Sequence, residues 1–369
     1  MHIGIPKEIK TQENRVGLTP QAVAQLVQSG HSVTVETAAG QGSGYGDGEY
    51  VAAGAVIADT QSCWAAEMVV KVKEPQPSEI ARLRPGQLLF CYLHLAPDVR
   101  QTDGLLASGC TAIAFETVED AAGRLPLLAP MSEVAGCLAP QVGSLALHSW
   151  RGGRGVLLGG VPGVAPADVL VLGGGVVGTQ AAKVALGMGA NVTILDRDLN
   201  RLKALDARFD GRVRTAHAGM LSTLIRQSDM IVGAVLIPGA KAPHLVRKAD
   251  LADLRPGCVL VDVAIDQGGC FETSRPTTHE DPTYMVDGVV HYCVANMPGA
   301  VARTSTQALT AAVLPYAQRL ADLGWKAALK ADAGFARGLN VHAGKVCEPH
   351  VAQVQGKALG NIADAIEAL

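Results

Sequence analysis

The 369-residue chain has few aromatic side chains, 4% of its residues, although 48% are hydrophobic. Its core must therefore be built mainly from aliphatic residues, and 42 glycines allow close backbone approach. That mixture suits parallel α/β architecture, in which strands are buried on both faces. No excess of one charge sign is present either. The formal net charge is −3 and no long basic run occurs. Nucleic acid and anionic membrane surfaces are thus not expected partners. A membrane span needs roughly 18 or more uninterrupted apolar residues. The richest candidate, 168–190, is broken by Asp168, Gln180 and Lys183, so no span is expected. The opening "MHIGIPKEIK" carries Lys7, Glu8 and Lys10 where a secretory leader needs an apolar run. The eight cysteines (63, 91, 110, 137, 258, 270, 293, 347) show no CxxC spacing, so neither a zinc site nor a disulfide framework is expected. Reduced, packed thiols in a cytoplasmic protein are the plain expectation.

What is present is an alternation of strand and helix patterns. The length suggests about two domains. "HIGIP", "HSVTVET", "MVVKVKEP", "LLFCYL" and "CTAIAFE" read as buried strands. "PQAVAQLVQSG" and "DVRQTDGLLASG" between them read as helices, the first stopped at Gly30. "AAGQGSGYGDGEY" reads as a glycine-rich loop without the order of a phosphate-binding loop. Ser132 is a plausible N-cap for a long, weakly charged helix ending near "LHSW". A second unit begins after "RGGRGVLLGGVPG", with strands in "DVLVL", "NVTIL", "SDMIVGAVLIPG", "CVLVDVAID" and "GVVHYCVANMPG". From Thr304 the pattern is helical, and beyond residue 325 only helix and loop patterns are visible, so that tail should pack on another domain. The whole predicts an α/β protein with doubly wound sheets.

Gly173, Gly175 and Gly178 form GxGxxG between the strand "DVLVL" and the helix "VVGTQAAKVALGMGA". In that setting the first glycine permits a tight turn. The second lets the backbone approach a pyrophosphate, and the third lets helix pack on strand. The helix N-terminus favours an anion through its unpaired N–H groups and dipole. Asp196 ends the next strand at the spacing expected of a carboxylate that accepts bonds from the adenosine ribose. It would repel a 2′-phosphate, which favours NAD over NADP. Arg197 follows directly and could in principle serve a phosphate.

Four ionisable residues interrupt or end apolar runs: Arg15 after the first strand, Lys73 in "MVVKVKEP", His94 in "LLFCYLHL" and Asp266 in "CVLVDVAIDQGG". Ligands in open α/β sheets bind at the carboxyl ends of strands. Arg15 and Lys73 suit a small carboxylate, Arg supplying a bidentate fork. His94 can move a proton near neutral pH. Asp266 can hold an ammonium group or tune the histidine. Each has a plainer reading. Arg15 fits a surface salt bridge, Lys71 rivals Lys73 on one strand face, His94 fits a hydrogen-bonded core position, and Asp262 rivals Asp266 or caps a turn. Together with a dinucleotide site, the four describe oxidation of an α-amino or α-hydroxy acid.

The segments "GIPKEIKTQENRVGLTP", "VKVKEP", "YLHLA", "LLAPMSEVAG", "GGRGVLLGGVPGV", "VDVAIDQGGCFE", "SRPTTH" and "VANMPGAVARTST" resemble the alanine dehydrogenase family, over nearly the whole chain. The resemblance implies reversible oxidation of L-alanine by NAD to pyruvate and ammonium. It implies substrate binding by Arg15 and Lys73, and a catalytic pair of His94 and Asp266. For the cofactor it implies Ser132, Gly173, Gly175, Gly178, Asp196, Asn296 and Met297. Arg201 stands where the family often has a lysine near the adenosine. The implied fold is two Rossmann-like domains, the first completed by the C-terminal segment. Residues 1–128 plus 306–369 would form the substrate domain and 129–305 the NAD-binding domain. A homohexamer is the implied assembly. The rivals are the NAD-binding component of a proton-translocating transhydrogenase, a saccharopine-type dehydrogenase and a non-catalytic NAD-binding protein.

Overall fold

The structure is a computed structural model and describes residues 1–235 and 242–367. Its strands, in chain order, begin with β1 (His2–Ile5), β2 (Ser32–Glu36), β3 (Val56–Ala58), β4 (Met68–Val70), β5 (Leu88–Cys91) and β6 (Thr111–Ala114). Then come β7 (Asp168–Leu172), β8 (Asn191–Asp196), β9 (Arg214–His217), β10 (Met230–Gly233), β11 (Val259–Asp262), β12 (Thr283–Val286) and β13 (Val289–Tyr292). The last two are β14 (Leu339–His342) and β15 (Lys345–Val346). The chain divides into two compact units, Met1–Met131 with Val301–Leu369, and Ser132–Ala300.

The first unit holds an eight-stranded sheet in the order β15-β14-β6-β5-β4-β1-β2-β3. β1 to β6 are mutually parallel, while β14 runs antiparallel to β6, and β15 to β14. β4, β5 and β6 are buried at every position, as parallel strands covered on both faces must be. The helices between strands start and stop where local chemistry dictates. Thr19 caps Pro20–Gln28 by accepting from the Ala22 N–H, with proline in the first turn. Asp98 caps Val99–Ser108 by accepting from the Gln101 N–H, and Gly109 ends that helix in the left-handed region.

The tail departs from the helix-and-loop expectation. "LNVH" and "KV" are strands, and Val341 and Val346 pack into the same core as Leu89, Leu105 and Ala112. Each strand is too short for a period-two pattern to stand out, and the partner of β14 lies far away in sequence. Within the first glycine-rich run, residues 47–52 are also helical, because Glu49 accepts from the Gly46 N–H and closes the first turn.

The second unit holds a seven-stranded sheet in the order β12-β13-β11-β10-β7-β8-β9, parallel except for the edge hairpin β12–β13. One face of the sheet packs Val169, Val171, Ile194 and Val261 with Ala181, Ala182 and Ala185 of helix Val176–Gly187. The other packs Leu170, Leu172, Ile231 and Leu260 with Leu224, Phe271 and Leu254. β10 takes only the first part of "SDMIVGAVLIPG"; residues 236–239 of that run lie outside the described residues.

Read outward from the centre, both sheets have the Rossmann strand order. Its direction reverses between β1 and β4 in the first unit and between β7 and β10 in the second. Crevices for ligands open at the carboxyl ends of strands flanking such a reversal. The fold is α/β, two Rossmann-like doubly wound units, the first completed by the C-terminal segment.

Candidate active site

In the first unit, Arg15 follows β1 and Lys73 follows β4, so the two flank the point of reversal. Arg15 is not a surface residue: it is 2% exposed. Its guanidinium donates from Nε to Glu13 Oε1 at 2.6 Å and from Nη2 to the other Glu13 oxygen, while Nη1 lies 3.0 Å from Met131 Sδ. Burial pushes the Glu13 carboxyl up, but the hydrogen bonds and charge of Arg15 outweigh it and hold the group at about 2. Lys73 is pushed below its ordinary value by burial, and then by the charge of Arg15. With Lys10 and Glu74 also acting on Lys73, the three cations Arg15, Lys73 and Lys10 outnumber the two carboxylates Glu13 and Glu74, and an excess of positive charge in a water-poor setting suits an anion.

β4 and β5 end earlier than the sequence suggests. Lys71 and Lys73 lie past β4, and His94 lies three residues past β5. The Lys71 ammonium is fully buried against Glu8 at 2.9 Å and Glu79 at 3.5 Å, so of the two rival lysines it is the internally committed one. His94 is not a core residue, since half of its side chain (49%) is exposed. Its backbone is left-handed, with φ of 49°, an uncommon state for a residue with a Cβ. Glu116 holds that bend. Its carboxylate accepts the His94 N–H at 2.6 Å and the Leu93 N–H at 3.2 Å, and lies 3.8 Å from His94 Nδ1. The ring stacks on Tyr92 with centroids 5.6 Å apart and planes within 4°. Tyr92 is buried, donates to the Leu127 carbonyl at 2.6 Å, and lies within the field of Arg15. Arg15 and His94 thus meet at Tyr92, with Lys73 within the field of Arg15, at the carboxyl ends of β1, β4 and β5.

The second unit assembles the dinucleotide-type turn after β7. Gly173 has φ of 98°, and a Cβ there would lie 2.8 Å from the Ala234 carbonyl oxygen. A Cβ on Gly178 would lie 1.8 Å from the Gly173 carbonyl oxygen, so the third glycine is required by helix–turn packing. A Cβ on Gly175 would meet nothing within 4 Å. Gly175 is also the N-cap of helix Val176–Gly187, which has no side-chain cap. Among the described residues, the space beside Gly175 at the start of that helix is therefore open, and the N–H groups of the first turn are the donor set that suits a pyrophosphate.

Asp196 ends β8 and is 7% exposed. Its oxygens accept the Gly174 N–H at 2.8 Å and the Asp198 N–H at 2.9 Å, with Arg201 Nη1 at 3.5 Å. Burial pushes this carboxyl up, but those N–H groups and the Arg201 charge hold it below the ordinary range. It keeps unused lone pairs for hydroxyl donors. Arg197 is exposed. The turn, Asp196 and Arg201 therefore form one constellation that fits a dinucleotide.

Ser132 is not an N-cap, because its helix spans Ala129–Ala146. The Leu128 and Ala129 N–H groups already close on the Leu125 carbonyl, and Pro130 suits a first turn, so the helix begins before the serine. Gly136, one turn further on, lies so close to the start of helix Val176–Gly187 that a Cβ would sit 2.4 Å from the Val177 carbonyl oxygen. β11 ends at Asp262, and Asp266 stands exposed on a short 3₁₀ turn, Ile265–Gln267. Asp262 is wholly buried and accepts from the Ala264, Cys270 and Phe271 N–H groups and from Ser274 Oγ. It ties down the loop that carries Asp266. Asn296 and Met297 follow β13, Asn296 with φ of 58° and Met297 buried. The turn, Asp196, Asp266 and Asn296 share the carboxyl edge of this sheet.

The sequence did not single out the carboxylates behind these groups: buried Glu13 behind Arg15, buried Glu8 behind Lys73, and partly buried Glu116 behind His94. Glu13, two residues from Arg15, was the one open to local inspection. The others pair across long stretches of chain.

Residues 4–135 match the N-terminal domain and residues 139–349 the C-terminal domain of the family described as alanine dehydrogenase/PNT. The alanine dehydrogenase of Halomonas elongata is 59% identical over 360 residues, covering 96% of this chain and 97% of that protein. A solved L-alanine dehydrogenase superposes with a TM-score of 0.94 at 52% identity, covering 96% of this chain and 99% of that one. A transhydrogenase structure from Sinorhizobium meliloti shares the fold, with a TM-score of 0.82 at 23% identity over 94% of this chain and 100% of that one. With both of its domains matched and the relatives spanned almost end to end, the chain belongs to the alanine dehydrogenase/PNT family.

Proposed function

We propose that the protein is an L-alanine dehydrogenase, catalysing the reversible NAD-dependent oxidative deamination of L-alanine to pyruvate and ammonium. The observation that carries this reading is the meeting of Arg15 and His94 at Tyr92, with Lys73 within the field of Arg15, beside the point where the first sheet reverses its strand order. A carboxylate site with a proton-transfer group suits an α-amino acid, and relatives of this length and identity carry the alanine dehydrogenase name.

In this reading residues 1–128 plus 306–369 bind substrate and 129–305 bind the cofactor. Bound NAD supplies the hydride acceptor. Ser132, Gly173, Gly175, Gly178, Asp196, Arg201, Asn296 and Met297 hold it, with the open helix terminus taking the pyrophosphate and Asp196 the ribose. Selection of NAD over NADP follows from the carboxylate of Asp196. Arg15 grips the alanine carboxylate, and Lys73 holds the oxygen that develops at the reacting carbon. His94 takes a proton from the water that adds to that carbon and returns one to the departing amine. Asp266 orients the histidine or the developing ammonium. Fixed positive charge in a water-poor cleft supplies electrostatic stabilisation. The resemblance further implies a cytoplasmic homohexamer; among the described residues no helix is long and apolar enough to cross a membrane.

The test is a panel of amino and keto acids assayed at 340 nm. L-Alanine should reduce NAD, and pyruvate with ammonium should oxidise NADH. Tight NADH binding with no turnover in either direction would favour the non-catalytic reading instead.

A further inference from the structure

Lys71 is an expensive residue to bury. Its ammonium sits among Glu8, Glu79 and a backbone carbonyl, with the side chain essentially inaccessible. Replacing such an ion cluster by apolar side chains of similar volume is often neutral or stabilising, so stability alone does not account for it. The cluster is also imperfect as a stabilising device. Glu79 Oε1 is buried without a hydrogen-bond partner, and burial pushes the Glu79 carboxyl above its ordinary range.

What the cluster does do is hold one short stretch of backbone. Past the end of β4, Glu8 Oε1 accepts the Val72 N–H at 2.6 Å and the Lys73 N–H at 3.3 Å. Lys71 Nζ donates to the Lys73 carbonyl at 2.9 Å and to the other Glu8 oxygen at 2.9 Å. The backbone donor and acceptor of Lys73 are thus both taken by the Glu8–Lys71 pair rather than by a neighbouring strand. A lysine side chain is a long, flexible stem. Fixing the backbone at its root narrows where its ammonium can go.

We infer that Glu8 and Lys71 are positioning residues, which touch no substrate but fix the backbone of Val72–Lys73 and so aim the Lys73 ammonium at the substrate carboxylate or carbonyl. The inference rests on Lys73 being a substrate-binding group, as proposed above. Glu79 ties the pair to helix Pro77–Ile80 by also accepting the Gln76 N–H at 2.7 Å.

The test uses the full-length protein and three variants. The charge-neutral double variant Glu8→Gln with Lys71→Met removes the pair, the near-isosteric Glu8→Gln alone weakens it, and Lys73→Met removes the proposed ligand. Each is measured for KM of pyruvate, kcat, NADH affinity by fluorescence, and melting temperature. The double variant should raise the KM for pyruvate about tenfold or more while NADH affinity stays within about twofold, a split that general destabilisation does not produce. Glu8→Gln should move KM the same way by a smaller factor, and it decides the matter if the double variant does not fold. A pyruvate KM within about twofold of wild type in the folded Glu8→Gln and double variants, with Lys73→Met impaired, overturns the positioning role alone. An unimpaired Lys73→Met overturns the reading of Lys73 itself, and the positioning role with it.

Discussion

In the proposed mechanism His94 moves the proton, and its setting explains how a group so exposed can be held in place. The left-handed bend gives the ring its direction, Glu116 fixes the bend, and Tyr92 supports the ring from one face. His94→Ala should lower turnover by about 100-fold or more, the usual contribution of a positioned acid–base group, with NADH affinity unchanged. Steady-state rates alongside NADH titration check this; near-normal turnover would remove His94 from proton transfer.

Glu13 offers a test of a different kind. Its carboxyl titrates at about 2 rather than 4.5. A depressed value contributes stability that is fully present above the ordinary pKa and is lost as pH falls through 4.5 toward 2. The difference corresponds to roughly 3 kcal/mol. Glu13→Gln should therefore be less stable than wild type by about that amount at neutral pH, because it leaves Arg15 buried without its counter-charge. The gap should close between pH 4.5 and 2. Urea unfolding across that range measures it, and a gap independent of pH would contradict the assignment. Such pairs were hard to read in advance. A sequence shows that Arg15 interrupts a run, but whether it is buried depends on what packs over it.

At the scale of elements, what was legible was what is local. The glycine turn, its strand, its helix and the acid at the end of β8 lie within a few dozen residues and obey one stereochemical logic. β4, β5 and β11 end earlier than their apolar runs suggest, because apolar side chains continue past the last ladder hydrogen bond and composition does not register that change. Helix Ala129–Ala146 starts before Ser132, although the serine is a stronger local signal than the Leu125 turn that starts the helix. The glycine turn also yields a contrast. Gly178→Ala puts a methyl into a backbone carbonyl and should cost several kcal/mol of stability, the range associated with overpacking and distorted backbone. Gly175→Ala meets no atom of the described residues, so it should melt near wild type yet bind NADH at least about tenfold more weakly, if that open space is where the pyrophosphate lies. Thermal melts and NADH titrations of the two variants separate these roles. Equal loss of stability in both would mean that the open space is not reserved for a ligand.

At the scale of the whole molecule, composition pointed to parallel α/β architecture and the alternation of strand and helix patterns to doubly wound sheets, and the strand orders of both sheets agree. The contribution of the tail as strands was invisible, because β14 earns its identity only beside β6. That pairing leads to a prediction. A chain ending at Arg337 loses β14 and β15, exposing the buried edge of β6 and the core that Val341 fills. Open apolar edges invite pairing between molecules, so the truncated protein should aggregate on size-exclusion chromatography. A soluble product melting at the wild-type temperature would show that the edge needs no cover.

The return of the tail to the first sheet also bears on how the molecule is made. Ser132–Ala300 is continuous in sequence and emerges from the ribosome as one piece, able to settle as soon as it is clear of the exit tunnel. The first unit begins earlier but finishes later. β6 is synthesised before Ser132–Ala300, and β14 after it. For that whole interval the nascent chain carries a half-built sheet with an unprotected edge, the kind of surface that chaperones bind. The portion that holds His94, Arg15 and Lys73 is therefore the last to be completed, and a chain released early would carry the glycine turn without the finished sheet that presents the proposed substrate site.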